Sequence, residues 1–377
     1  MKEDLIKIRN EIDEIDSKIV ELYEARMKMS ERVAKYKIEN QKAVLDKERE
    51  KIKLQKVGDL TTSEYTRNCI IDLYKQIMSM SRERQYQLLT ENGKIEKPNF
   101  TAVEELDFSN SKIVFQGVSG AYTELAMKEY FGENCDNFHV NTWKEAMEAL
   151  KNNEADYAVF PYENSSAGIV AENFDLLVEY DNFIVGEQII KIEHSLLGQK
   201  GAKIENIKKI FSHPQAFMQC QKFVDKHKSI NKISMKNTAM AAKKIKEDND
   251  ITQAAIASKS SAKIYDLDII QESIQDNKEN YTKFIIVTNK KIYNKSAKKI
   301  SVCFEAPHES GSLYHMLSHI IYNNLNMDMI QSRPIKEKNW KYRFFVNFEG
   351  NLEDAAVINA LVALKQDAVS FRILGNY

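Results

Sequence analysis

The chain has 377 residues, 43% of them hydrophobic and 29% charged, and its 54 Lys and Arg stand against 55 Asp and Glu for a net charge of −1. That balance excludes the broad basic surface of a nucleic-acid or anionic-membrane binder, so anion recognition falls to individually placed cations. No stretch reaches the ~20 apolar residues of a membrane span, and the N-terminus MKEDLIKIRNEIDEID lacks a signal peptide's apolar core. Cys69, Cys135, Cys220 and Cys303 are too scattered for metal-ligand or redox spacing, so a reducing, cytoplasmic setting is expected.

Residues 1–90 read as helix throughout, with the first glycine at Gly58 and the first proline at Pro98. Leu5, Ile8, Ile12, Ile15, Ile19 and Leu22 alternate spacings of three and four, the pattern of a coiled-coil seam. Continuing the seam places Arg26 on it, then Met29 and Val33, and Lys37 falls on Arg26's face close to three turns on. Two cations on an apolar face are expensive unless an anion meets them. Arg9 lies seventeen residues before Arg26, about 25 Å along one helix, so a site using both needs a second copy of the chain. A helix from Lys2 to about Asn40 would run about 57 Å, more than a small domain covers, which again points to a dimer. VLDKERE places Asp46, Arg49 and Glu50 near a short second helix. A third helix buries Ile70, Tyr74 and Ile77, then continues that face with Ser81, Gln85 and Leu88. Mutual pairing of these polar groups, Arg26 with Glu50 for example, is the purely structural alternative.

A polar stretch around Pro98, ENGKIEKPNFTAVEELDFSNS, is the expected first linker. Residues 111–290 then alternate strand-like and helix-like runs, the pattern of an α/β domain. Gly117 and Gly120 stand between a strand and a helix, where backbone N–H groups can bind an anion. FPYENSSAG brings Glu163, Asn164, Ser165 and Gly168 to a strand end, and FSHPQAF does the same for Ser212, His213 and Gln215. NYTKF supplies Thr282, Lys283 and Phe284. Strand ends at a crevice are where open α/β sheets bind ligands. No serine has a nucleophile-elbow glycine pattern, which argues against a hydrolase.

NKKIYNKSAKK reads as a second linker, and residues 298–377 as a small domain of strand, helix, strand, strand, helix, strand. This is the split βαβ, ferredoxin-like pattern. His315 and His319 sit at i,i+4, but HMLSH lacks the glutamate of a zinc-protease helix, so the pair reads as part of a surface helix and no metal is expected.

IRNEIDEID, YEARMKMSERVAKYK, VLDKERE and SMSRERQ resemble the all-helical chorismate mutases that open the bifunctional P-proteins. The resemblance implies a cofactor-free rearrangement of chorismate to prephenate. Arg26, Lys37, Asp46, Arg49, Glu50, Ser81 and Gln85 would form the site together with Arg9 from the partner subunit. Arg26, Lys37 and Gln85 would be catalytic. Such a reaction needs a held conformer and charge stabilisation at the ether oxygen rather than a nucleophile. The middle segment resembles prephenate dehydratase, which implies two α/β lobes like periplasmic ligand-binding proteins, with prephenate between them. Thr282 stands in the family's Thr-Arg-Phe motif as the catalytic residue, and Asn164, Ser165, Gln215, Lys283 and Phe284 would hold substrate, with Thr123 and Thr238 as weaker candidates. Lys283 replaces the motif's arginine, keeping the charge but not the two-pronged carboxylate geometry, and activity is expected to survive.

The last segment resembles an ACT domain, whose phenylalanine-binding signatures appear as Gly311, Ser312 and Leu313, then Asn326, Ser332 and Arg333, with Gln331 where the family has Glu. The expectation is therefore a multidomain, cytoplasmic, bifunctional enzyme of phenylalanine biosynthesis on the shikimate pathway. Its domains are 1–90 (all-α), 111–290 (two-lobed α/β) and 298–377 (α+β). It would be at least a homodimer, without cofactor, metal, nucleic acid or membrane, and inhibited by L-phenylalanine. The rival readings are an enzyme with one decayed site and a non-catalytic amino-acid sensor. Arg26, Lys37, Ser81 and Gln85 on apolar helix faces argue against the sensor.

Overall fold

A computed structural model describes residues 5–94, 98–335 and 340–377, so the expected helix start at Lys2 and residues 95–97 of the first linker lie outside the described residues. The chain divides into two compact units, residues 1–99 with 302–372, and residues 100–301 with 373–377.

The first unit opens with helices α1 (Leu5–Glu39), α2 (Lys47–Asp59) and α3 (Glu64–Glu91), and α1 and α2 both pack on α3. Asp46 caps α2 by accepting from the Arg49 backbone N–H, satisfying one of the helix's orphan donors. The apolar seam of α1 is not buried within one chain. Ile12, Ile15, Ile19 and Leu22 are 50–70% exposed, and the buried residues of α1 are Ser30 and Ala34. Residues that repeat every three to four positions over about five turns meet no partner surface among the described residues of the monomer.

The second unit contains β1 (Thr101–Val103), β2 (Lys112–Gln116), α4 (Tyr122–Phe131), β3 (Asp136–Val140), α5 (Trp143–Lys151), β4 (Tyr157–Asn164), β5 (Gly168–Ile169), α6 (Ala171–Glu179) and β6 (Phe183–Lys191). It continues with β7 (Ser195–Gly198), β8 (Lys209–Ser212), α7 (Pro214–Gln219), α8 (Gln221–Lys226), β9 (Asn231–Ser234), α9 (Thr238–Asp248), β10 (Gln253–Ala257), α10 (Lys259–Ile264), β11 (Asp268–Gln271), β12 (Tyr281–Thr288) and β13 (Ile292–Asn294). The strands form two lobes. One sheet runs β6-β12-β4-β2-β3 and the other β11-β7-β10-β8-β9, each with its own apolar core. The chain crosses between lobes twice, after β6 and after β11. The crossings are tied together where the Ile274 N–H donates to the His194 carbonyl at 2.9 Å and the His194 N–H donates to Gln275 Oε1 at 3.0 Å. The two segments read as linkers are ordered against each other, because β1 and β13 pair in parallel from Thr101–Ile292 to Val103–Asn294.

The remaining elements are β14 (Lys299–Glu305), α11 (Ser312–Ile321), β15 (Met327–Pro334), β16 (Tyr342–Glu349), α12 (Ala355–Asp367) and β17 (Ser370–Asn376), with strand order β15-β16-β14-β17. This is the strand-helix-strand-strand-helix-strand succession expected from the sequence. Gly311 precedes α11 at φ +76°, a conformation that glycine adopts without strain. Within the first unit α12 packs on both α11 and α3.

Candidate active sites

The first site is built on α1, α2 and α3. Arg26 is half-buried on α1 and donates from Nη1 to Ser81 Oγ at 2.5 Å, while Ser81 Oγ donates to the Ile77 carbonyl at 2.8 Å. Lys37, also half-buried, donates to the Val44 carbonyl. Burial lowers the pKa of both cations. Glu50 lies close enough to offset part of that effect on each, so Arg26 and Lys37 share one carboxylate neighbourhood. Glu50 itself is gripped by Arg82, whose Nη1 lies 2.5 and 2.6 Å from its two oxygens. Arg26 and Glu50 therefore do not form the pair of the structural alternative.

Arg26, Lys37 and Arg82 outnumber the carboxylates of Glu50 and Asp46 near them, leaving a net positive neighbourhood suited to a small anion. Gln85 donates to the Ser81 carbonyl at 3.1 Å, but its Oε1 is buried without a partner. A buried amide oxygen of that kind is satisfied when a ligand brings a donor, or an acceptor if the amide flips. Asp46 is committed to capping, and Arg49 is exposed beside it. Arg9 is exposed, and at seventeen residues' separation its place on α1 is about 25 Å from Arg26. Sequence reasoning missed Arg82. It adjoins Ser81 in SMSRERQ, but it is buried and faces Glu50, and the seam pattern did not single it out among its charged neighbours.

The second site lies at the β4 and β12 ends. Thr282 pairs in register with Asn164, and Asn164 Nδ2 donates to Thr282 Oγ1 at 2.9 Å. Asn164 Oδ1 accepts from the Ser166 and Ala167 backbone N–H groups at 3.0 and 2.8 Å, which fixes the turn, while its amide nitrogen is shared among Thr282 Oγ1, Asn280 Oδ1 at 2.8 Å and the Tyr281 carbonyl at 3.1 Å. Ser165 locks the same corner: its N–H donates to the Tyr281 carbonyl and its Oγ accepts from the Tyr281 N–H, both at 2.9 Å. Because Thr282 Oγ1 accepts here and no acceptor takes its proton among the described residues, the hydroxyl can donate to a ligand. Lys283 points to the opposite face and pairs with Glu163 at 3.4 Å. Phe284 is 2% exposed and belongs to the first lobe's apolar core, where it packs rather than lines a cleft.

Gln215 stands on α7 in the other lobe, its N–H donating to His213 Nδ1 at 3.2 Å. Thr123 and Thr238 are buried in the first turns of α4 and α9. The glycines do not offer free N–H groups to an anion. Gly117 N–H donates to the Val140 carbonyl, and Gly120 N–H donates to Glu124 Oε2 at 2.5 Å. A Cβ on Gly120 would meet Ser261 Oγ at 2.8 Å, so this glycine serves close approach between the lobes. At the lobe crossing sits a group that the sequence did not reveal. His194 is 2% exposed, with Nε2 2.9 Å from Gln219 Oε1 of α7 and Nδ1 3.3 Å from the Tyr122 hydroxyl of α4, and burial lowers its pKa.

A cavity of about 150 Å³ in the C-terminal segment is lined by Glu305, Ser312, Leu313, Tyr342, Phe344 and neighbours. Gly311 adjoins it, whereas Asn326, Ser332 and Arg333 do not line it. Asn326 donates to Glu349 Oε1 at 3.0 Å, and Ser332 and Arg333 lie on β15 opposite Phe344 and Arg343. His319 is buried rather than on the surface, because both it and His315 turn toward Asp367 at the end of α12.

The two polar clusters fall within two family matches, chorismate mutase type II over residues 8–86 and prephenate dehydratase over residues 113–292. The bifunctional chorismate mutase/prephenate dehydratase of Buchnera aphidicola from Acyrthosiphon pisum is 34% identical over 99% of this chain and 96% of its own. The chain belongs to this bifunctional family. Among solved structures, a prephenate dehydratase from Arthrobacter aurescens in complex with L-Phe is 28% identical with a TM-score of 0.66, covering 71% of this chain and 89% of that one. The quorum-quenching acylase GqqA matches at 27% identity and a TM-score of 0.64, over 70% of this chain and 96% of its own. Membership in the bifunctional family assigns the helical segment to the mutase and the α/β unit to the dehydratase. No helix among the described residues is long and apolar enough to cross a membrane.

Proposed function

We propose that this chain converts chorismate to prephenate in the helical segment and prephenate to phenylpyruvate in the α/β unit. The observation that carries the first step is the surplus of buried positive charge around Glu50. In the mutase step the ether C–O bond breaks as a C–C bond forms within one molecule, so the protein's task is to hold the compact conformer and stabilise charge on the ether oxygen. Arg26, Arg49 and the Arg9 of a second copy hold the two carboxylates. Lys37 donates to the ether oxygen, Gln85 does so once its amide flips to turn Nε2 toward the ligand, and Ser81 and Glu50 engage the hydroxyl end. Arg82 holds the Glu50 carboxylate in place. A dimer follows from the exposed seam of α1 together with the distance from Arg9 to Arg26.

In the dehydratase step the C–CO2 bond breaks, its electrons enter the ring, and the ring C–OH bond breaks to complete aromatisation. Thr282, oriented by Asn164, donates a hydrogen bond to the departing hydroxyl, which leaves as water with a proton taken from solvent, a modest task because aromatisation drives the step. Ser165 holds that corner in shape and Gln215 meets substrate from the other lobe, while Lys283, on the opposite face and paired with Glu163, makes no direct contact with it.

L-Phenylalanine, the amino acid formed one transamination beyond phenylpyruvate, binds the C-terminal segment as an ACT domain. The cavity at Ser312 and Leu313 and the exposed face of edge strand β15 support that reading, with Gln331 setting ligand strength. The boundaries 1–90, 111–290 and 298–377 mark the three functional parts. Four free cysteines suit a cytoplasmic location.

The test is an ultraviolet assay on the purified chain given chorismate alone. Loss of chorismate followed by phenylpyruvate, slowed by added phenylalanine, is the expected course. Accumulated prephenate without phenylpyruvate would favour a decayed dehydratase, and phenylalanine binding without turnover would favour the sensor.

A further inference from the structure

Asp367 is the last residue of α12, where the helix's own carbonyls already carry negative partial charge, so a carboxylate there needs compensation. Compensation arrives from two sides. His315 and His319, one turn apart on α11, place Nε2 at 3.1 and 2.8 Å from Asp367 Oδ2. Lys47, the first residue of α2, reaches Asp367 Oδ1 at 3.2 Å and also donates to the Gln366 carbonyl. Burial alone would raise the pKa of Asp367, but the two histidine hydrogen bonds outweigh it and hold the group well below the usual carboxylate range.

Lys47 follows the cap Asp46 and precedes Arg49 and Glu50 within one helical turn. A longer-range electrostatic link runs beside this contact. His319 lies close enough to Arg82 for their charges to interact, and Arg82 grips Glu50. Tyr322, just past α11, hydrogen-bonds to Gln76 of α3. The helices α11 and α12 thus touch both elements that present Glu50. The ligand atoms of His315, His319 and Asp367 also lie within 4.8 Å of one another, a spacing that a metal ion can bridge. A ligating His319 would have to donate Nδ1–H to a partner, yet Nδ1 is buried with none among the described residues, and Lys47 already serves the carboxylate. The geometry favours a hydrogen-bonded clamp.

We propose that Asp367 is a positioning residue for the mutase reaction, holding Lys47 so that the first turn of α2, with Arg49 and Glu50, is fixed to the C-terminal segment. The proposal rests on the mutase reading above and not on the phenylalanine reading. It also connects the C-terminal cavity to α2, since α11 opens at Ser312 on that cavity.

The full-length chain carrying Asp367→Asn, Lys47→Met or both is compared with wild type for chorismate and prephenate turnover. Each single variant raises the mutase KM about three- to tenfold with kcat little changed, and the double variant is no worse than the single ones, as expected for one shared interaction. Asp367→Glu recovers most of the loss, and dehydratase rates stay at wild-type level. An unchanged KM in both single variants overturns the proposal, as do additive losses in the double variant or a parallel fall in dehydratase rate, which marks a merely structural role. A rise in KM on EDTA dialysis, reversed by Zn2+, overturns the clamp in favour of a metal. Absence of chorismate turnover in the wild type rejects the mutase reading itself, and the clamp with it.

Discussion

Lys37 shows how burial and function compete in one side chain. Half-buried beside Arg82 and offset in part by Asp46 and Glu50, its ammonium loses its proton more readily than an ordinary lysine. In the mutase step proposed above, that proton stabilises the ether oxygen. The protonated form exists below the lowered pKa and disappears as pH rises through it. The pH profile of kcat/KM for chorismate should therefore fall on the alkaline side, at a pH below the usual lysine value. Lys37→Gln should remove that limb and reduce kcat by about 10²–10³, the scale of losing one preorganised donor to a developing oxyanion. A Lys37→Gln enzyme of near-normal rate with the same alkaline fall would place the titration elsewhere. Thr282 illustrates the opposite economy, because its hydroxyl does not titrate in this range and its competence comes from direction: Asn164 occupies the acceptor side and leaves the proton for the ligand.

At the scale of elements, α1 is the anomaly. A 35-residue helix with Ile12, Ile15, Ile19 and Leu22 largely exposed has a face that a second copy of α1 can cover, and Arg9 then approaches a neighbour's Arg26 rather than its own. Mixing exposes this arrangement. Arg9→Ala and Arg26→Ala chains are each expected to be nearly inactive as mutases. Unfolded and refolded together, they form mixed dimers in which one site has both arginines and the other neither. About half the dimers are mixed, so the mixture should recover about a quarter of wild-type activity. No recovery would mean that each chain completes its own site.

For the molecule as a whole, much of the candidate mutase site was legible because its residues violated local rules. Arg26 and Lys37 stood out as cations on an apolar stripe, and the order of strands and helices in 299–377 followed from alternation and turn residues. What stayed hidden depends on contacts between residues remote in sequence. Arg82 looked like one charge among several until its burial against Glu50, thirty-two residues away, was visible. His319 read as a surface histidine because Asp367 lies forty-eight residues on. The apparent linkers held β1 and β13, three-residue strands too short to announce themselves by periodicity. Phe284 follows the proposed site residue Thr282, but residues 282 and 284 have different neighbours: the register to β4 shifts after Lys283, and Phe284 enters the core.

The central claim is that one chain holds two independent active sites, and crossed single-site variants measure it directly. Chorismate loss and phenylpyruvate formation from added prephenate are followed on full-length Arg26→Ala and Thr282→Ala. The account predicts that Arg26→Ala loses chorismate turnover by about 10²-fold or more while converting prephenate at the wild-type rate, and that Thr282→Ala does the reverse. Normal chorismate turnover in Arg26→Ala, or phenylpyruvate formation at the wild-type rate by Thr282→Ala, would contradict it.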